Sequence, residues 1–274
     1  MPEIHPTAVL EGNISLADDV VIGPHCVLQG DVTIGSATRL IGNCYITGTL
    51  VMGERNLVYP FTCIGFAGQD ANYPHDKYEP GIVIGDDNTF REGVTIHRAT
   101  RDIPTTIGNN NVFMTTSHVG HDCQIANNTI LVTDSTLGGH VYIQDDVIIG
   151  GGTGVHQFVS IGAGAFLHGG SFTTFDVAPY FMLTGGNIVG SLNLVGMRRS
   201  GMDREDITKR KEIFKLLYRS DHIFSKSLEL LKDDDDPIAM EYVAFIEASR
   251  RGLVKPELQR RSQRRGSAIS HESS

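Results

Sequence analysis

The amino-acid sequence predicts a mainly β fold, a parallel β-helix of hexapeptide repeats, with a small α-helical domain at its C-terminal end. Two observations predict the β-helix: an aliphatic residue recurs at every sixth position from Ile4 to Ile64, and an apolar residue does so again from Ile107 to Leu167. A third, the helical spacing of apolar residues after Asp203, predicts the helices. A period of six matches neither a helical turn nor the alternation of a plain strand, so it indicates one short strand and one turn per hexad.

The repeat also predicts which residues become neighbours in space. Three hexads close one triangular coil of about eighteen residues. Residues about eighteen apart therefore lie on the same face of the coil, roughly 4.8 Å from each other. Spatial clusters can thus be predicted from sequence spacing.

Two irregular stretches interrupt the repeat and predict loops extruded from the β-helix near residues 67–83 and 98–106. Loops that leave a rigid scaffold on one side commonly form the walls of a binding site, although an inert insertion explains the same pattern. With these loops included, the β-helix is predicted to occupy residues 1–186.

The C-terminal helical domain is predicted over residues 187–254. Asp203 is a plausible N-cap for a helix whose apolar residues run to Leu231, and Asp236 followed by Pro237 has the form of a second helix start. Such a domain would cover the open strand edge of the last coil. Residues 255–274, polar and rich in arginine, predict a disordered basic tail, with docking to an acidic partner as the alternative.

Composition excludes several classes of function. The formal net charge of -9 argues against nucleic acid as a partner. The sequence has no basic, apolar leader and no run of about eighteen apolar residues, so we expect no membrane span and a cytoplasmic location. Four cysteines occupy packing positions of their hexads without a CxxC pair, which predicts reduced core residues.

Four histidines gather on one predicted face. The hexads that begin at Val119, Leu137 and Val155 are eighteen residues apart and carry His121, His140 and His156, and His118 precedes the first of them. An imidazole accepts a proton near neutral pH, and Asp122 is available to fix its tautomer. The backbone N–H groups of Gly138 and Gly139 could receive the charge of an oxyanion. This pattern favours base catalysis of attack by a hydroxyl or an amine.

Other interpretations remain open at this point. The histidines could form a surface or subunit contact, or His118 and His121 could hold zinc with a third histidine, as in the γ-class carbonic anhydrases. The spacing departs from that family, so we predict no metal and no other cofactor. The sequence has no GxSxG motif, which disfavours a serine acyl-enzyme.

Six motifs carry a family resemblance: Ile96-His97-Arg98, Ser117-His118-Val119-Gly120-His121-Asp122-Cys123, Leu137-Gly138-Gly139-His140, Val155-His156-Gln157-Phe158, Asp176-Val177-Ala178-Pro179-Tyr180 and Asn193-Leu194-Val195-Gly196-Met197-Arg198-Arg199. Together they resemble the bacterial UDP-N-acetylglucosamine O-acyltransferases that begin lipid A synthesis. The resemblance covers about residues 4–252. Its motifs are far more specific than the hexad, which many acyl- and acetyltransferases share.

The resemblance implies a left-handed β-helix, a homotrimer and active sites between subunits. It implies that His121 is the general base on the sugar 3-hydroxyl, that Asp122 orients it, and that the N–H of Gly139 stabilises the oxyanion. The acyl donor would be a 3-hydroxyacyl thioester on acyl carrier protein, and the acceptor would be UDP-N-acetylglucosamine.

Further positions match residues that hold the substrates in that family, and the resemblance implies the same role here for Asp70, His118, His140, His156, Gln157, Asn193 and Arg199. Gly169 matches the position whose side chain sets the acyl chain length. A glycine leaves that groove open, so a long chain is expected, although His168 replaces a small residue common beside it.

Three departures touch the expected substrate contacts. Asn72 stands where the family usually has lysine, Val195 where many members have glutamate, and Ser200 where a further arginine is common. An altered acceptor, such as a 3-amino sugar nucleotide that yields an amide, therefore stays open. So do an acetyltransferase that uses acetyl-coenzyme A and a β-helix scaffold without activity.

Overall fold

The computed structural model describes residues 1–69 and 80–256, and Asp70, Asn72 and the basic tail beyond residue 256 lie outside the described residues. The chain first winds through eight strands: β1 Glu3–Ile4, β2 Val9–Leu16, β3 Val21–Ile22, β4 Val27–Ile34, β5 Arg39–Leu40, β6 Tyr45–Met52, β7 Leu57–Val58 and β8 Cys63–Phe66. The middle coils contain β9 Ile82–Ile84, β10 Thr89–Phe90, β11 Thr95–His97, β12 Thr105–Ile107, β13 Val112–Phe113, β14 His118–Val119, β15 Gln124–Ile125 and β16 Ile130–Leu131. The last coils contain β17 Thr136–Leu137, β18 Tyr142–Ile143, β19 Ile148–Ile149, β20 Gly154–Val155, β21 Ser160–Ile161, β22 Phe166–Leu167 and β23 Phe172–Thr173.

The strands form the three faces of a parallel β-helix. The first face runs from β1 through β22, the second contains β8, β11, β14, β17, β20 and β23, and the third contains β9, β12, β15, β18 and β21. Strands β2, β4 and β6 each run eight residues across the second and third faces without a turn. Val119 pairs with Leu137, and Leu137 with Val155, which confirms the eighteen-residue spacing.

The core is the column of residues that hold the first place of each hexad. Leu28, Ile46 and Ile64 on the second face are fully buried, and each adds apolar area removed from water. Phe90 and Phe113 stack inside the first face with ring centroids 5.0 Å apart. Cys26, Cys44 and Cys123 are buried and Cys63 is half-buried, and none forms a disulfide within the described residues.

In the described residues after the last coil, the chain forms a hairpin and four helices. The hairpin pairs β24 Phe181–Gly185 with β25 Ile188–Leu192 in antiparallel fashion, and the short β26 Lys255–Pro256 extends its sheet. The helices are α1 Leu194–Arg199, α2 Arg204–Tyr218, α3 Phe224–Lys232 and α4 Pro237–Ala248. No helix in residues 1–69 and 80–256 is long and apolar enough to cross a membrane.

Both predicted N-caps are confirmed. The side chain of Asp203 accepts from the N–H of Asp206, and that of Asp236 accepts from the N–H of Ile238. Caps of this kind are each worth about 1 kcal/mol because they satisfy a free N–H of the first turn. The hydroxyl of Tyr242, on α4, donates to the carbonyl of Pro179 at 2.8 Å and so ties the helices to the end of the β-helix.

The prediction of one helix from Asp203 to Leu231 is wrong, because two helices occupy that stretch. Helix α2 ends at Tyr218, where the hydroxyl of Ser220 bonds back to the carbonyl of Leu216, and Ile223 is extended before α3. Each helix buries its own apolar face, so the periodicity persists across a break that it does not reveal.

Candidate active site

The candidate site lies at one corner of the β-helix, where the second face turns into the third. Three stacked turns form it, at residues 120–123, 138–141 and 156–159. The segments after β8 and after β11, which break the repeat, leave from this same corner in the two preceding coils. The corner is therefore the place where the hexad repeat of the sequence is interrupted.

A histidine and an aspartate form a tight pair at this corner. His121 Nδ1 lies 2.6 Å from Asp122 Oδ2. The carboxylate also accepts hydrogen bonds from the N–H and the hydroxyl of Thr100 and from the N–H of Arg101, at 3.0, 2.6 and 3.0 Å. Burial acts to raise the pKa of Asp122, but these hydrogen bonds outweigh it and lower the pKa to about 2. The aspartate is therefore ionised at neutral pH and fixes the His121 ring.

Two glycines enclose the His121 ring. A Cβ on Gly139 would lie 2.7 Å from Cε1 and Nε2 of His121, and a Cβ on Gly68 would lie 2.9 Å from Cβ, Cγ and Cδ2. Any side chain at either position would displace the imidazole. Within the described residues the N–H of Gly139 donates no hydrogen bond, so it is available beside Nε2.

The neighbouring histidines stay uncharged at neutral pH. Burial, together with the nearby imidazoles of His118 and His121, lowers the pKa of His97 to about 4. Burial likewise lowers the pKa of His118, whose Nδ1 lies 2.7 Å from the hydroxyl of Thr95. Around the pair these rings offer hydrogen bonds without adding positive charge.

His140 lies behind the pair. Its ring stacks on Phe158 with centroids 4.4 Å apart, and its Nε2 lies 3.7 Å from Asp122 Oδ2. Burial lowers the pKa of His140, although the carboxylate of Asp122 opposes the shift. The His140 ring therefore packs between Phe158 and the carboxylate of Asp122.

A cavity of about 550 Å³ opens in front of His121. Its lining extends over six coils and consists of Gln69, His97, His118, Gly120, His121, Thr136, Leu137, Gly138, Gly139, Gly154, Val155, His156, Gln157, Phe172, Thr173 and Thr174. Five residues of the predicted site, His118, His121, Gly139, His156 and Gln157, share this cavity, and His140 is outside its lining.

The remaining predicted residues lie elsewhere in the chain. Asn193 caps α1, where its side chain accepts from the N–H of Gly196 and donates to the carbonyl of Gly164. Arg199 is exposed in the last turn of that helix. Gly169 is exposed on the corner that precedes the second face. None of these three lines the cavity within the described part of the chain.

Metal binding can be tested on the same geometry. Ligand atoms of His121, Asp122 and His140 all lie within 4.8 Å of one another. A carboxylate has about four acceptor sites. Asp122 already uses two per oxygen for Thr100, Arg101 and His121. A metal would have to displace these donors, so the arrangement favours a histidine–aspartate pair.

Sequence reasoning missed several residues of the site. Thr100 and Arg101 come from the segment after β11, and their contact with Asp122 spans 22 and 21 residues instead of eighteen. His97 stood in a motif without a role, and Phe172 had no signal beyond its outward place in the hexad.

The fold and this site together are typical of the hexapeptide-repeat acyltransferase class, because a histidine held by an aspartate and the backbone N–H of a glycine lie at one cavity. Comparison with known proteins makes the assignment specific. A family model described as UDP-N-acetylglucosamine O-acyltransferase, domain 2, matches residues 176–254.

Full-length relatives agree with that match. An acyl-(acyl-carrier-protein)–UDP-N-acetylglucosamine O-acyltransferase of Ectopseudomonas mendocina is 44% identical and the alignment covers 93% of this chain and 100% of the relative. The enzyme of that name from Sinorhizobium fredii is 36% identical over 93% and 96% of the two chains. The UDP-N-acetylglucosamine acyltransferase of Francisella novicida superposes with a TM-score of 0.89 at 36% identity, covering 93% and 94%.

The chain therefore belongs to the acyl-(acyl-carrier-protein)–UDP-N-acetylglucosamine O-acyltransferase family. The predicted family, the predicted enzyme class and the left-handed β-helix fold are confirmed.

Proposed function

We propose that this enzyme transfers a 3-hydroxyacyl group from acyl carrier protein to the 3-hydroxyl of UDP-N-acetylglucosamine, the first step of lipid A biosynthesis, with His121 as general base. The observation that carries this proposal is the His121–Asp122 pair at 2.6 Å beside the N–H of Gly139, which donates no hydrogen bond to any residue that the structure describes. The substrates are inferred from the names of the relatives, and the base catalysis is inferred from the His121–Asp122 pair.

The reaction needs one proton acceptor and one oxyanion site. Because Nδ1 of His121 donates to Asp122, Nε2 is the acceptor that faces the cavity. It takes the proton of the sugar hydroxyl as the oxygen attacks the thioester carbonyl. The carbonyl oxygen becomes an oxyanion that accepts a hydrogen bond from the N–H of Gly139. Collapse of this intermediate breaks the C–S bond and expels the thiolate, which takes from His121 the proton that came from the sugar hydroxyl. A positioned base contributes about 100- to 10,000-fold, and one oxyanion donor about 100- to 1,000-fold.

Electrostatics support His121 in this role over its neighbours. The imidazolium that forms on His121 faces an ionised carboxylate, since the pKa of Asp122 is about 2. His97, whose pKa is about 4, stays neutral and does not repel that charge. His118 and His97 are then hydrogen-bonding groups at the cavity wall, where the polar substrate would lie.

The remaining predicted contacts support an assembly of subunits, which we include in the proposal as a homotrimer. Asn193 and Arg199 fall outside the cavity lining of the described chain. If they hold substrate, as the family resemblance implies, a neighbouring copy must bring its α1 to the cavity. Mixing His121→Ala with Arg199→Ala subunits tests this, because only shared sites would restore activity, and light scattering would give the assembly mass.

The activity test uses purified protein with UDP-N-acetylglucosamine and 3-hydroxyacyl thioesters of acyl carrier protein, with product mass as the readout. His121→Ala should lower kcat by about 100-fold or more. The exposed His222 serves as the matched control, and His222→Ala should retain full activity. Activity only with a 3-amino sugar nucleotide, giving an amide product, would replace the proposed acceptor. Activity only with acetyl-coenzyme A would overturn the proposed donor.

We place the reaction in the cytoplasm, since the unpaired cysteines fit a reducing compartment. Localisation of a tagged chain by cell fractionation checks this point.

A further inference from the structure

The floor of the cavity is a ladder of outward-facing residues on the second face. In-register pairing stacks His118, Thr136, Gly154 and Phe172 in four successive coils. Three steps of roughly 4.8 Å carry this ladder about 14 Å along the axis of the β-helix. After His118, the next two positions of this ladder carry the small residues Thr136 and Gly154, and the fourth carries the aromatic ring of Phe172.

Phe172 is held as a fixed wall. Its side chain is 53% exposed in the cavity lining, while its neighbour Thr173 is buried and takes the inward place of the hexad. A Cβ on Gly186 would lie 2.4 Å from Cε1 and Cζ of the ring, so the ring edge rests on the turn of the β24–β25 hairpin. The N–H of Asn187 in that turn donates to the Phe172 carbonyl at 3.0 Å.

The rung before the ring is open. A Cβ on Gly154 would have the Cβ of Phe172 as its nearest neighbour, at 4.0 Å, and Gly154 has no left-handed backbone angle. Along the strands this end of the cavity is lined by Val155, Thr173 and Thr174 besides the two ladder residues, while the polar His156 and Gln157 lie at the corner after β20. The ring of Phe172 borders the open space above Gly154 and would present apolar surface to an apolar ligand group placed there.

We infer that Phe172 limits the length of the acyl chain that this enzyme accepts, an inference that rests on the proposed function. The chain extends from the thioester at His121 along the ladder, and its end meets the ring. Gly169, the expected length determinant, lies on the same coil one corner earlier, and His168 beside it packs edge-on against Phe166 with centroids 5.1 Å apart. In this coil the large side chain is therefore at position 172, while the glycine at position 169 has no side chain that could block the acyl chain.

Two substitutions test the wall from opposite sides. Phe172→Ala removes it and should raise kcat/KM for donors longer than the wild-type optimum, relative to that optimum, by about tenfold or more. Gly154→Val fills the rung before it and should shift the preference to shorter donors by a similar factor. The control is Tyr142→Ala, an outward aromatic residue at the equivalent strand position on the third face, 46% exposed, which should leave the profile unchanged.

The outcomes separate the alternatives. Opposite shifts in the two variants, with the assembly mass unchanged, would support the inference. A donor profile that neither variant moves would overturn the inference alone. A raised KM for UDP-N-acetylglucosamine with an unchanged donor profile would also overturn it and would assign the Phe172 ring to binding of the nucleotide base. A changed assembly mass with an unchanged donor profile would overturn it as well and would assign the ring to a subunit contact. Wild-type protein that transfers no acyl group from any donor would overturn the proposed function as well.

Discussion

Replacing Asp122 by asparagine tests the base assignment, because it keeps the shape of the side chain and reverses one hydrogen bond. The N–H groups of Thr100 and Arg101 both donate to Oδ1, so the amide oxygen must stay there. The amide NH2 then faces Nδ1 of His121 at the place of Oδ2. Nδ1 must accept instead of donate, which moves the ring proton to Nε2. The nitrogen that should take the substrate proton is then already protonated.

Two magnitudes follow for Asp122→Asn. Loss of the oriented base should lower kcat by about 100- to 10,000-fold with little change in KM. Burial raises the pKa of Asp122 and its hydrogen bonds lower it, and the net fall from 3.8 to about 2 corresponds to roughly 2 kcal/mol of stability for the ionised form in the folded protein. A depressed carboxyl pKa gives stability that is present above pH 4 and is lost as the pH falls towards 2. The variant should lack this acid-dependent part of the free energy of unfolding.

The assay is steady-state transfer with both substrates varied, together with urea unfolding at several pH values. Asp102→Asn removes the same charge from an exposed position of the same segment and should leave kcat unchanged. Retention of more than about one third of kcat in Asp122→Asn would refute the assignment of His121 and Asp122 as an oriented base, since a reversed hydrogen bond could not then matter.

Three further predictions concern neighbouring positions. Gly139→Ala should lower kcat about 100-fold or more, because its Cβ would meet His121 Nε2 at 2.7 Å, whereas Gly185→Ala, with nothing within 4 Å, should be neutral in the same assay. For His97, the folded pKa of about 4 lies below the ordinary 6.5, so the unfolded chain binds the extra proton and stability falls as the pH drops from 6.5 to 4. His97→Gln should remove about 2 kcal/mol of the loss in unfolding free energy between pH 7 and pH 5, measured at one protein concentration. Gly169→Met should shift the donor preference to shorter chains in a chain-length panel, and an unmoved preference would show that residue 169 does not contact the chain.

The hexad predicted the fold and brought most of the site together, because a parallel β-helix converts sequence distance into spatial distance by a fixed rule. Val119, Leu137 and Val155 pair in register, so the turns that carry His121 and His156 had to stack on one corner. Gly139 could be placed beside His121 for the same reason. The eighteen-residue spacing follows from the backbone hydrogen bonds between successive coils, so the positions of these turns are fixed by the strand pairing.

The rule fails where the chain leaves the repeat. Thr95 pairs with His118 across 23 residues because the segment after β11 adds five to the coil, and those added residues supply Thr100 and Arg101 to Asp122. Their conformation depends on the carboxylate that they enclose and not on any periodicity. The segment that interrupts the eighteen-residue spacing thus donates the hydrogen bonds that hold Asp122 beside His121, so it is itself part of the site. Deleting it should lower kcat by disordering Asp122 while the pairing of β14 with β17 is preserved, and transfer assays with amide hydrogen exchange on those strands would separate the two effects.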